Sequence, residues 1–413
     1  MKGEELMTYL QQPEVAILNV REKVNNSLPL KEDIFKLLDM IGAWKDIFAD
    51  KNKRVLLKPN LVHPMHSGSG HITDNRIVFA LAELLLEIGF NEKNIVLGEG
   101  CGVGFAFATQ NDTLNCVRAA GLEPIKDKYG IDIVDLNKDK AIEMDVPNPL
   151  VMEKVKIAKT VLDSDILINL PVMKTHIRTG VTLSLKNMKG VLPGLEKRKT
   201  HKLGIDEGVA DLNSLVKTTL TIVDGIVGME GNWEYPRDCV PMGILVAGKD
   251  LVAVDTICSK IMGFDPRKIR HINRAAEKKL GIMDESKIII KGLQLEEINV
   301  RPFKPRFQCF IEDYPNVNIV DEYACTGCYS SILSALVYLK EQGQKEKLKD
   351  LNVVLALYTD EPIKDLKGKN LIIGLCNQKF KDKGLYVPGC PPNAIEMIKA
   401  ICKLCEIDLQ VAL

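Results

Sequence analysis

Four cysteines near the end of the chain have the types and spacing of metal ligands. Cys325 and Cys328 form a C-x-x-C pair, Cys376 follows the apolar run Leu371–Leu375, and Cys390 lies in Val387-Pro-Gly-Cys-Pro-Pro392. Each stands where a run of strand length gives way to a loop, and in an open parallel sheet the loops at the carboxyl ends of the strands gather at one edge. Four thiolates meeting there are the ligand set of a [4Fe–4S] cluster or a Cys₄ zinc site. Thirteen residues separate Cys376 from Cys390, whereas structural zinc usually takes two close pairs. A Cys-Pro step also ends the bacterial ferredoxin run. One [4Fe–4S] cluster on Cys325, Cys328, Cys376 and Cys390 is therefore expected. The plainer alternative makes Cys376 and Cys390 core thiols and the C-x-x-C a redox pair or a coincidence. Cys402 and Cys405 are also C-x-x-C, but within an apolar helical pattern, and read as core. Cys101, Cys116, Cys239, Cys258 and Cys309 read as core as well.

A second constellation is cationic. Between Asn169 and Lys202 the chain carries eight basic residues and one acid, Glu196, together with His176 and His201. Lys174 and Lys186 sit among apolar residues beside Asn169, Asn187 and Gly190, a poor setting for a merely solvated charge. Lysines with Thr, Asn and Gly can hold a phosphate or carboxylate by charge-assisted hydrogen bonds, and a lysine among other cations can act as base or nucleophile. Lys174, His176 and Lys186 are the expected catalytic residues. Lys58, Asn60, Thr175, Asn187, Lys189, Glu99 and Glu230 are the expected substrate- or anion-binding residues. Lys197–Lys202 follows Pro193-Gly194 and reads as a solvated, mobile loop. The glycines around Glu99 fit no dinucleotide or P-loop pattern. Asp250 and Asp255 read as helix caps.

These residues need a scaffold, and the composition supplies one. The chain has 413 residues, 46% hydrophobic and 27% charged, with 55 basic and 55 acidic side chains. A chain of zero formal charge is no polycation, so nucleic acid is not an expected partner. An aromatic content of 5% argues the same way. No apolar run spans a bilayer, and the first residues, MKGEELMTYLQQPEV, hold no apolar signal core. A cytoplasmic protein without membrane segments is expected, with reduced thiols rather than disulfides.

Apolar strand-length runs alternate with helical patterns, which predicts an α/β protein. Strands are expected at Val15–Val20, Arg54–Leu57, Ile95–Leu97, Ile131–Leu136, Ile166–Leu170, Leu220–Val223 and Ile244–Val246, and helices at Ile34–Phe48, Asn75–Ile88 and Val252–Met262. The reading is a large, open, mostly parallel sheet over residues 1–300 and a small flavodoxin-like α/β domain carrying the cluster over 301–413.

The motifs also resemble known families. Cys325-Thr-Gly-Cys328-Tyr-Ser-Ser-Ile332, Ile373-Gly-Leu-Cys376 and Tyr386-Val-Pro-Gly-Cys-Pro-Pro-Asn-Ala394 resemble the proximal cluster loops of nickel–iron hydrogenase small subunits and their complex I relative. An acidic residue usually follows the pair in that family, where this chain has Tyr329-Ser330. The resemblance implies an electron-transfer domain and not hydrogenase activity. In the larger part, Val55-Leu-Leu-Lys-Pro-Asn-Leu61, Asn169-Leu-Pro-Val-Met-Lys-Thr-His176, Ser184-Leu-Lys-Asn-Met-Lys-Gly190, Val223-Asp-Gly-Ile-Val-Gly-Met-Glu-Gly-Asn232 and Val246-Ala-Gly-Lys-Asp-Leu-Val-Ala-Val-Asp255 resemble the signature blocks of the "domain of unknown function 362" family. That resemblance implies no reaction.

The expected function is an iron–sulfur redox enzyme that passes electrons between the cluster and a small anionic substrate in a Lys/His-lined cleft. A ferredoxin-like protein is the expected electron partner, and a flavin has no motif to support it. Two alternatives stand beside this reading: a lyase, isomerase or transferase with a structural or Lewis-acid cluster, and a carrier of electrons or clusters. The oligomeric state is open, a homodimer being one option.

Overall fold

Val55-Leu-Leu and Ile166-Leu-Ile are apolar runs without a polar face, the pattern of strands covered on both sides. The computed structural model describes residues 12–24, 27–102, 112–233, 235–322, 324, 326–357 and 359–409. It divides into two compact units, one built from the described residues up to Gly102 and from Asp112–Pro305, the other from Arg306 onward.

In the first unit the strands are β1 (Glu14–Asn19), β2 (Val55–Pro59), β3 (Ile95–Glu99), β4 (Asp132–Asp135), β5 (Ala141–Asp145), β6 (Lys154–Ala158), β7 (Ile166–Leu170), β8 (Val172–His176), β9 (Gly180–Thr182), β10 (Leu220–Met229), β11 (Cys239–Gly248) and β12 (Ile289–Gly292). β5 and β6 form a separate antiparallel pair. The main sheet runs β12-β1-β11-β10-β7-β2-β3-β4, with β8 beside β10 and β9 beside β8. It is parallel from β10 through β4. β11 is antiparallel to both β10 and β1.

The order contains a reversal that positions everything below. The chain proceeds outward from β2 to β3 and β4, then returns to place β7 on the other side of β2. Loops leaving β2 and β7 therefore diverge, and the crevice at such a point is where open α/β sheets bind ligands. Lys58 on β2 lies directly across from Asn169 on β7 at that edge.

Alternation along the strands assigns the two faces. Val55, Leu57, Ile166 and Ile168 pack under the helices Lys31–Met40 and Asn75–Glu87. Leu56 and Leu167 face the opposite way, against Met188, Val191, Leu192 and Leu212. Lys58, two residues after Leu56, shares that second face. Helix Asn75–Glu87 starts where Asp74 accepts the Arg76 amide and ends before Gly89, whose φ of 99° suits a residue without Cβ. The single helix expected over Ile34–Phe48 is two, Lys31–Met40 and Ala43–Asp46, because Gly42 turns the chain at φ 63°.

The second unit holds four parallel strands, β13 (Val317–Asp321), β14 (Leu351–Leu355), β15 (Lys369–Ile373) and β16 (Leu385–Val387). They lie in chain order, whereas a flavodoxin-like order sets the second strand outside the first. Helices Thr326–Glu341 and Ala394–Cys405 accompany them. No helix among the described residues is long and apolar enough to cross a membrane.

A buried carboxylate fixes one corner of the first unit. Asp211, on helix Ile205–Leu215, accepts the amides of Leu150, Val151 and Met152 and pairs with Lys278 at 3.0 Å. Burial alone raises its pKa, but the amides and Lys278 together hold it below the ordinary value. Asp211→Ala should cost on the order of 3 kcal/mol at pH 7, because Lys278 and three amides lose their partner. The sign with pH follows from the lowered folded pKa: the contribution is complete above 3.8, the unfolded value, and is lost as pH falls through the folded value. Urea unfolding of wild type and variant should therefore differ at pH 7 and converge in strong acid.

Candidate functional site

The carboxyl ends of β2 and β3 carry opposite charges that water does not reach. Lys58 is 0% exposed and Glu99 4% exposed, and Lys58 Nζ lies 2.6 Å from Glu99 Oε2. Burial lowers the Lys58 pKa and raises that of Glu99, each shift only partly offset by the partner. The two pKa values are thus driven toward each other.

The turn Met188–Val191 closes over this pair. A Cβ on Gly190 would stand 2.5 Å from Glu99 Oε1 and 2.7 Å from Lys58 Nζ, and one on Gly100 would stand 2.6 Å from the Gly190 carbonyl. Both positions require glycine because charged groups and backbone fill the space a side chain would take.

A third charge joins from a segment expected to be a solvated loop. Lys197–Lys202 instead lies in helix Glu196–Leu203, whose residues Lys197 and Thr200 are buried. Lys197 Nζ donates to Asn137 Oδ1 and to the Leu192 carbonyl. Burial lowers its pKa to about 8, against the raising influence of Glu99 and Cys101. The signal for this was present: residues 197, 200 and 201 share a helix face, and proline–glycine before them marks a helix start as readily as a loop.

Lys174 is reached from β8. It is 1% exposed and donates to Asn60 Oδ1 at 2.6 Å and to the His71 carbonyl at 2.5 Å. From Asn60 a chain of amides leads inward. Asn60 Nδ2 donates to Asn187 Oδ1 at 2.7 Å, Asn187 Nδ2 to Asn169 Oδ1 at 2.7 Å, and Asn169 Nδ2 to the Ser184 carbonyl at 2.9 Å. Lys174 Nζ also stands 4.9 Å from the centre of the Trp233 ring, a cation–π distance. Trp233 holds φ at 65° and donates its indole N–H to the Thr175 carbonyl. Thr175 is buried, and its Oγ1 has no partner among the described residues.

Lys186 and Lys189 are half-buried. Lys186 Nζ donates to Thr182 Oγ1 at 3.3 Å and Lys189 Nζ to His201 Nε2 at 2.7 Å. Burial first, then the charges of Lys189 and Lys186, hold His201 well below its usual pKa, so its imidazole is neutral at pH 7. Asp255 accepts the amides of Ser184 and Leu185 and so anchors the turn that carries Lys186 and Asn187. Asp250 accepts the Ala253 amide and caps its helix.

Two expected residues do other work. His176 Nδ1 accepts the amides of Arg178 and Thr179, which makes the ring a turn cap. Glu230 is gripped by Arg301 through both oxygens, at 2.6 and 2.7 Å, and accepts the Lys304 amide. Asn137, Lys197 and His201 are the members that sequence reasoning missed.

In the second unit the cysteine-bearing loops are drawn together at the carboxyl ends of the strands. The Gly374 amide donates to the Val387 carbonyl and the Leu375 amide to the Gly389 carbonyl. A Cβ on Gly374 would stand 3.4 Å from Cys328 Sγ. Cys328 lies in the first turn of its helix, buried, while Cys376 and Cys390 are exposed. Asp321 accepts the Tyr329 hydroxyl at 2.7 Å and the Ala324 amide at 2.5 Å, bracing the loop before Cys328. Cys325 lies outside the described residues. No three His, Cys, Asp or Glu side chains among the described residues are gathered as a metal site. Cys328, Cys376 and Cys390 are thiols of the type an iron–sulfur cluster takes as ligands.

Residues 55–260 match the family model described as Domain of unknown function (DUF362). The thylakoid-associated protein sll1697 of Synechocystis sp. is 30% identical over 253 residues, 60% of this chain and 73% of that protein. Among solved structures, the lactate racemase apoprotein from Thermoanaerobacterium thermosaccharolyticum aligns over 96% of this chain and 91% of its own, with 11% identity and a TM-score of 0.36. A Thermotoga maritima protein aligns over 73% of this chain and 64% of its own, with 12% identity and a TM-score of 0.31.

Two outcomes follow from the geometry. Gly190→Ala should destabilise the first unit by about 1–3 kcal/mol, the usual cost of overpacking, with urea unfolding as the measure; an unchanged midpoint would mean that the turn does not close on the Lys58–Glu99 pair. With lysines labelled at Cε, one carbon resonance should titrate at about pH 8, the value for Lys197, and should vanish in Lys197→Met.

Proposed function

We propose that this chain, which belongs to the DUF362 family, is a redox enzyme acting on a small anionic substrate held at the β2/β7 crevice. The observation that carries the anion is the set of lysines around one carboxylate: Lys58, Lys174 and Lys197 crowd Glu99, with Lys186 and Lys189 on the adjoining turn. An anionic group entering there would gain charge-assisted hydrogen bonds in a desolvated setting, where such bonds are strongest. Lys174 and Asn60 would orient the substrate. Lys58 and Glu99, their pKa values drawn together by burial, would move the proton that accompanies a change of charge.

Cys325, Cys328, Cys376 and Cys390 would hold a [4Fe–4S] cluster, which when bound supplies electrons one at a time. A small ferredoxin-like protein is the matching class of partner. The hydrogenase-like motifs and the converging loops of the second unit support this half of the reading.

A second reading is favoured by the Lys58–Glu99 pair itself. A buried acid and base with converging pKa values suit proton abstraction beside a carbonyl, as in an isomerase or lyase, with no net electron transfer.

One set of experiments separates these. Protein purified without oxygen should contain about four iron and four sulfide per chain, and Cys390→Ser should lower both. Titration calorimetry with inorganic phosphate should show binding that weakens by about 10- to 100-fold in Lys174→Met, the worth of one hydrogen bond to a charged group. Phosphate binding without iron would defeat the redox reading and leave the proton-transfer one; iron without any phosphate binding would defeat the anion site.

A further inference from the structure

Two loops at the carboxyl edge of the main sheet meet through aromatic rings. The first follows β2 and carries His63, His66 and His71; the second follows β10 and carries Trp233 and Tyr235. Between ring centres, His71 lies 5.8 Å from Trp233 and 5.0 Å from His63, and His66 lies 4.7 Å from Tyr235. All three pairs meet edge to face. Lys174 is joined to both loops. It stands in register with Met229, the last residue of β10, and its Nζ meets the Trp233 ring at 4.9 Å and the His71 carbonyl at 2.5 Å.

Exposure falls along this set of rings. Tyr235 is 49% exposed and His66 is exposed, His63 and Trp233 are half-buried, and His71 and Lys174 are 5% and 1% exposed. The rings thus lead from the surface to a buried cation. The second loop is also strained. Trp233 has φ 65°, a left-handed conformation that bulky residues rarely adopt. Such strain persists only where the surroundings enforce it, and it gathers at ligand sites. Here the Trp233 amide donates to the Glu230 carbonyl at 3.2 Å and the indole N–H to the Thr175 carbonyl at 3.1 Å, while Arg301 grips the Glu230 carboxylate. Glu230 therefore sets the turn that holds the indole against Lys174.

We infer that these rings determine the specificity of the anion site, and that its substrate carries a flat aromatic ring next to the anionic group. The inference rests on the anion site proposed above. An anion that meets the Lys174 ammonium lies beside the indole, so the atoms attached to it meet the aromatic loops. A ring there gains offset or edge contacts with tryptophan, tyrosine and histidine, which a saturated group of similar size cannot make.

The test compares three anions on the full chain by titration calorimetry: inorganic phosphate, cyclohexyl phosphate and phenyl phosphate. Phenyl phosphate should bind about 10-fold more tightly than cyclohexyl phosphate, the worth of one aromatic pair, and more tightly still than inorganic phosphate. The chain has two tryptophans, so the emission left in Trp44→Phe belongs to Trp233 and should change as phenyl phosphate binds. Trp233→Leu should abolish the preference for the ring, and Trp233→Phe should keep most of it. Inorganic phosphate bound as tightly as phenyl phosphate overturns the inference and leaves the anion site standing. Equal binding of the phenyl and cyclohexyl esters reduces the loops to an apolar mouth and overturns the inference as well. No binding of any of the three defeats the anion site and the inference with it. Because the wild-type comparison decides, a Trp233 variant that does not fold leaves the answer intact.

Discussion

Burying Lys58 and Glu99 together is the constraint on which the rest of the first unit depends. Each ion loses its hydration at the end of a strand covered on both faces, at an effective penalty of several kcal/mol per charge. Only close approach offsets this, and the pair meets at 2.6 Å. Water must then be kept out, which the turn around Gly190 does at a distance where any Cβ would displace Glu99 or Lys58. The Lys197 ammonium extends the cluster on the far side, through the Leu192 carbonyl and Asn137. The glycines, the short turn and the helix after it are thus consequences of one buried ion pair.

The same logic sets a direction in the amide chain. Asparagine amides can be reversed without change of shape, but Lys174 can only donate. Asn60 must therefore present its oxygen to Lys174 and its nitrogen to Asn187, and the polarity passes on through Asn169 to the Ser184 carbonyl. A cation at one end and a carbonyl at the other leave one arrangement. Chains of this kind polarise their members cooperatively, so a ligand that draws on Lys174 would be felt at the turn that carries Lys186.

How much of this was legible depended on whether a residue acts locally. Central strands such as Ile166–Leu170 could be read directly, because a strand buried on both faces has to be apolar throughout. Lys58 and Lys174 stood out because a charge inside an apolar run demands a partner, though the partner's identity did not follow: Glu99 is 41 residues from Lys58, and only the parallel pairing of β2 with β3 brings them together. β8 was missed because Lys174, Thr175 and His176 interrupt its apolar pattern, and β9 because it is only three residues long. Helix Glu196–Leu203 was missed because its mean hydropathy is low and its buried face consists of Lys197 and Thr200, and Lys197 is buried against Asn137, 60 residues away in sequence. The partner of Glu230 was equally hidden, since Arg301 comes 71 residues later.

Converging pKa values give the buried pair a property that a surface ion pair lacks. On the surface, ammonium and carboxylate are the stable forms by many powers of ten. Inside, desolvation penalises both ions, lowering the Lys58 pKa and raising that of Glu99. The balance is then set by whatever charge arrives beside them. An incoming anion stabilises the Lys58 ammonium and disfavours the Glu99 carboxylate, which favours protonation of the site as a whole. Binding an anion and taking up a proton are therefore linked by electrostatics at this edge of the sheet, whichever reaction the proton serves.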